Sequence, residues 1–167
     1  FIMTADSLAG VLPTIRSRCI SFAVAPVSPE ACARYCTAQG VGAKDAALYS
    51  ALFDGHIGTV LAAARDEARR EQVDRALALA KAAAAKDSYA AAVLLAAYEK
   101  DKAGASALLA DFRAVAAAGL RDSPHSPVEG ETARKALGAA DAAMQQIGAQ
   151  VNPKIVLSVL AAKFRTF

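Results

Sequence analysis

The sequence has no tryptophan, two histidines, three cysteines and 6% aromatic residues in 167 positions. Each scarcity speaks against a class of chemistry. His56 and His125 are isolated, and no second pair of Cys or His lies at helical or knuckle spacing to complete a four-ligand zinc site. Cys32 and Cys36, one helical turn apart, therefore read as core residues. An odd cysteine count with no signal-like start argues against a disulfide scaffold and for a reducing, cytoplasmic setting. Glu-x-x-His pairs and clustered carboxylates are missing, which disfavours a helical-bundle enzyme. No apolar run approaches the roughly 18 residues that span a bilayer. Even Ala90 to Ala97 is bounded by Lys86, Asp87, Glu99 and Lys100, so a soluble protein with no membrane partner is expected. The loop Gly-x-x-x-x-Gly-Lys-[Ser/Thr], which cradles phosphates, is also absent.

What is abundant is alanine, about a quarter of all positions, within a chain that is 55% hydrophobic. Alanine has the highest helix propensity and no side-chain entropy to lose, so the expected class is mainly α. Net charge is +3, with Lys and Arg interspersed among Asp and Glu. No helix dense in Arg, Lys, Asn or Gln stands out as a DNA-recognition element.

In chain order, Phe1 to Thr4 suits a buried parallel strand, and Ala5-Asp6-Ser7 a polar turn able to cap Leu8 to Leu12. The abrupt apolar start at Phe1 implies a longer protein. Leu12-Pro13-Thr14-Ile15-Arg16-Ser17-Arg18-Cys19 follows. Pro13 fixes its own φ and restarts the chain as a short helical turn, on which Arg16 and Arg18 point about 200° apart. Cys19 should pack inward. Ile20 to Val24 alternates like a short strand, stopped by Pro26.

Ser28, Pro29 and Glu30 form a helix start, with Ala31, Cys32, Tyr35 and Cys36 as its apolar face and Gly40 beyond its end. A second helix is expected from about Lys44 to Phe53, closed by Asp54-Gly55, and a third with Ile57, Val60, Leu61 and Ala64 on one stripe. From Arg65 the character changes to a charge-rich, solvated helix, including Glu71 with Arg75, that runs into Ala76 to Lys86. Tyr89 to Tyr98, Ala105 to Leu120 and Ala133 to Ile147 read as further helices, with a proline loop at 123 to 127. Asn152-Pro153 opens a last helix expected to bury Ile155, Val156, Val159, Leu160 and Phe164. The second half is a bundle of about five helices.

The run Leu12 to Cys19 resembles the Ser-Arg-Cys signature of the clamp-loader branch of AAA+ ATPases. In that family the motif's arginine enters the ATP site of the adjacent subunit. Arg18 occupies that place, with Arg16, Ser17 and Cys19 as motif support. An always-charged planar guanidinium suits the charge that develops on a transferring phosphoryl group. Three helices after a strand are similar to the family's lid, and Asn152-Pro153-Lys154 before an apolar helix is similar to the end of the delta-prime family.

The resemblance implies three parts: residues 1–25 as the tail of an AAA+ core, 26–65 as the lid, and 66–167 as a helical collar that assembles the ring. Motor subunits carry a sensor arginine at the start of the third lid helix. Gly55-His56-Ile57-Gly58-Thr59-Val60-Leu61 has none, and His56 there reads as structural. The implied protein is therefore a non-motor, delta-prime-type subunit of the bacterial DNA polymerase III clamp loader, an assembly within a DNA-directed DNA polymerase holoenzyme. The motor-type gamma/tau subunit, or another AAA+ relative, stays open. The implied partners are gamma/tau and delta subunits and, through the whole complex, the sliding clamp and primed DNA. ATP would be bound by neighbouring subunits, with no cofactor, metal or catalysis in this chain alone.

Overall fold

Local capping chemistry sets most of the element boundaries. In the computed structural model, which describes residues 1–5, 7–25 and 27–167, the chain forms a short 3-10 turn at Leu8–Gly10 and then a single helical turn, α1 (Pro13–Arg16). Helix α2 (Pro29–Ala38) starts where the Ser28 hydroxyl accepts the Ala31 N–H at 3.2 Å, with Pro29 in the first position. It ends at Gly40, whose φ of +87° is open to glycine at little cost. Helix α3 (Ala43–Leu52) ends at Asp54 and Gly55, both left-handed, and α4 (Ile57–Arg65) follows at once.

Only Asp66 separates α4 from α5 (Glu67–Ala84), and its carboxylate accepts the Ala68 N–H at 3.0 Å. The same device opens α6 (Ser88–Ala96) from Asp87 and α7 (Lys102–Leu120) from Asp101. Helix α8 (Gly130–Gly148) has no such cap, whereas the Asn152 side chain opens α9 (Pro153–Lys163) by accepting the Lys154 N–H at 2.9 Å. A 3-10 turn at Phe164–Thr166 follows. The architecture is mainly α, with no strand among the described residues.

The two expected strands are therefore corrected. Phe1 to Thr4 and Ile20 to Val24 form none, and Phe1, Ile2, Met3, Ile20, Phe22 and Val24 are exposed. A strand exists only as a member of a sheet that satisfies its N–H and C=O groups, and residues 1–25 hold no partner for it among the described residues. Asp6 of the expected cap and Pro26 of the expected strand stop lie outside the described residues. Ser7 does act as a cap, accepting the Ala9 N–H at 3.2 Å.

Helices α2, α3 and α4 pack on one another, and α5 to α9 form the five-helix bundle. One continuous hydrophobic core nevertheless runs from Cys32 to Phe167. Helix α7 is its axis, burying Leu108, Leu109, Phe112, Val115 and Ala116 against α5 and α8. The facing surface of α8 is built from Ala133, Ala136, Ala139, Ala140 and Ala143, whose small side chains let the two helices approach closely. Phe112 stacks on Phe164 with ring centroids 5.8 Å apart, and Phe164 meets Phe167 at 4.8 Å.

By length and composition α7 is apolar enough to cross a membrane, which differs from the expectation that no such segment exists. Half of that window is buried inside the bundle, and it carries the buried Asp111.

Two helix faces are also corrected. Helix α9 buries Val156, Leu157, Leu160, Ala161 and Phe164 and leaves Ile155 and Val159 exposed. Both sides of this helix are apolar in sequence, so its position between α6 and α8, and not its periodicity, selects the buried stripe. On α2 the buried face is only Cys32 and Cys36, and Tyr35 is about half exposed.

The proline loop after α7 is tied down by Ser126, whose buried hydroxyl lies 2.9 Å from the Val115 carbonyl and 3.0 Å from that of Val128. This brings the Val128 carbonyl onto Gly119, where a Cβ would collide with it. Gly119→Ala should therefore lose about 2 kcal/mol to overpacking. Gly138→Ala, at an open position in α8, should gain roughly 0.5 to 1 kcal/mol from helix propensity. Urea denaturation of the two variants checks both signs; equal effects would contradict this packing.

Candidate functional site

Leu12 to Cys19 folds locally without support from the core. The Leu12 carbonyl accepts the N–H groups of Ile15 and Arg16, both at 3.0 Å, and the Ser17 hydroxyl closes the turn on Thr14 O at 3.2 Å. Helix α1 ends at Arg16, and the next bond, Arg18 N–H to Ile15 O at 3.0 Å, is a tighter three-residue one. Arg16 and Arg18 are both exposed, and among the described residues neither makes an ion pair or a side-chain hydrogen bond. Cys19, expected to pack inward, is an exposed free thiol, because nothing of the core lies beneath this segment.

The segment joins the helices at a close contact. Gly55, buried with φ +73°, lies so near the Val27 backbone that a Cβ there would collide with the Val27 carbonyl. The turn that closes α3 thus also seats the chain entering α2. His56, next in sequence, takes a structural place: its ring Nδ1 lies 2.7 Å from the Phe53 carbonyl, so this nitrogen is the donor.

Helix α4 brings no arginine of its own to its first turn, but α7 brings Arg113 and the residue that caps its end is Arg121. Arg113 and Arg121 line a cleft of about 260 Å³ together with Asp54, His56 and Thr59. Arg113 donates to Asp141 at 2.6 Å. Arg121 donates to the Ala51 carbonyl at 3.2 Å and faces Asp54 at 3.7 Å. Arg113 and Arg121 lie 57 and 65 positions beyond His56, so local sequence spacing carries no signal of them.

The charge-rich start of α5 is less solvated than expected. Arg69 is partly buried and grips Asp111 of α7 through both guanidinium nitrogens, the second bond measuring 2.6 Å. Gln72 adds a third donor to the same carboxylate at 2.8 Å. The Arg69 guanidinium also lies over the Phe53 ring, 5.5 Å from its centroid. The hydrogen bonds that Arg69 donates to Asp111 raise the Arg69 pKa, against the opposing effect of burial. The next arginine, Arg70, reaches back to the Ala64 carbonyl at 2.7 Å and to Asp45 at 3.7 Å. Glu71 and Arg75 pair at 3.4 Å one turn apart, as their spacing predicts.

Cys32 and Cys36 are buried side by side in the α2 face. Burial pushes the Cys36 thiol up, and the neighbouring Cys32 adds to it, so this thiol is protonated and unreactive at neutral pH. No group of three or more His, Cys, Asp or Glu side chains converges for a metal among the described residues.

Comparison with family models, with curated proteins and with solved structures found no match.

Two outcomes follow from this geometry. In native protein iodoacetamide should alkylate Cys19 alone, and mass spectrometry should count all three cysteines modified only in denaturant; native labelling of Cys32 or Cys36 contradicts their burial. Asp111→Ala, which strands Arg69 and Gln72, should cost about 3 kcal/mol in urea melts, whereas the double variant Arg69→Met with Asp111→Leu should recover most of that loss.

Proposed function

We propose that this chain is a non-motor, delta-prime-type subunit of a bacterial replicative clamp loader. The observation that carries the reading is Arg18: an exposed guanidinium, unpaired among the described residues, held just past a one-turn helix within Leu-Pro-Thr-Ile-Arg-Ser-Arg-Cys. Its surroundings support a role in trans. Ile15 within the motif and Ile20, Phe22 and Val24 just after it are exposed, so the segment offers apolar surface for other protein to cover. In this reading residues 1–25 belong to an AAA+ core, 26–65 to its lid and 66–167 to the collar.

The mechanism assigned to the chain is assembly and activation in trans. The collar associates with gamma/tau and delta subunits through helix packing, and Arg18 projects toward ATP bound by a neighbour. There its planar fork stabilises negative charge on the γ-phosphoryl oxygens as the bond to the leaving group breaks; arginine fingers of this kind contribute roughly 10³ to 10⁵ in rate. The ring then opens the sliding clamp and places it on primed DNA. The chain by itself binds no ATP and catalyses nothing. A gamma/tau motor subunit is the neighbouring alternative, disfavoured by the missing sensor arginine between Gly55 and Leu61.

The test is Arg18→Ala in a reconstituted ring containing this subunit. ATPase turnover should fall sharply while light scattering shows the ring still assembled, and Arg18→Lys should fail to restore turnover because an ammonium lacks the bidentate geometry. Unchanged turnover in Arg18→Ala would remove the finger from the account.

A further inference from the structure

We draw no further inference here: the strongest candidate, the cleft between the α3–α4 turn and α7 rimmed by His56, Thr59, Arg113 and Arg121, has both arginines already answered by Asp141 and Asp54, which leaves an uncapped helix N-terminus with nothing in the structure to indicate a ligand.

Discussion

The grip of Arg69 on Asp111 is the contact on which the rest of the arrangement depends. Asp111 sits in the middle of the central helix, buried, and would be an uncompensated charge without its donors. Such a pair adds little net stability over an apolar replacement, because desolvation of both ions offsets their attraction. Its effect is on register. The two parallel bonds from one planar guanidinium, together with Gln72, allow α5 a single axial and rotational position against α7. The Phe53 ring under the guanidinium fixes the end of α3 to the same point.

That register has a consequence for the helices on either side of Asp66. Arg70 bonds back to the α4 carboxyl end, Arg121 just past the end of α7 bonds to the α3 carboxyl end, and the hydrophobic core is continuous across both groups. Motion of α2 to α4 relative to α5 to α9 would break these contacts together. Residues 1–25 have the opposite character, contributing no buried side chain among the described residues. They are joined to the helices where the Val27 carbonyl approaches Gly55. The chain thus combines a continuous helical core with an exposed, apolar, arginine-bearing segment, which is the combination the clamp-loader proposal requires.

How much of this was legible in the sequence depends on the range of the interaction. Capping is local, and Ser28-Pro29, Asp54-Gly55 and Asn152-Pro153 marked their helix ends to within a residue or two. Helices of alanine and leucine declared themselves by propensity. Strands did not, because Phe1 to Thr4 has the composition of a strand but no partner among the described residues, and pairing is never a local property. The buried face of α9 was misjudged because Ile155 and Val159 are as apolar as Leu157 and Ala161. The joint at Arg69 was hidden for a related reason: a charged residue among Asp, Glu and Arg neighbours looks solvated until a carboxylate 42 positions away is brought against it. In the candidate site, the short helical turn was readable from Pro13, whereas the exposure of both Arg16 and Arg18 was not. The inward packing expected of Cys19 was not realised, since that required a core the segment does not meet.

The central claim is that this helical body assembles into a ring with other clamp-loader subunits. Multi-angle light scattering of the chain mixed with purified gamma/tau and delta subunits from the same source tests it most directly. The account predicts a stoichiometric complex in the absence of ATP, because helix packing and not nucleotide carries the contact. Separate elution of all components would contradict it and leave only a helical bundle whose partners lie elsewhere.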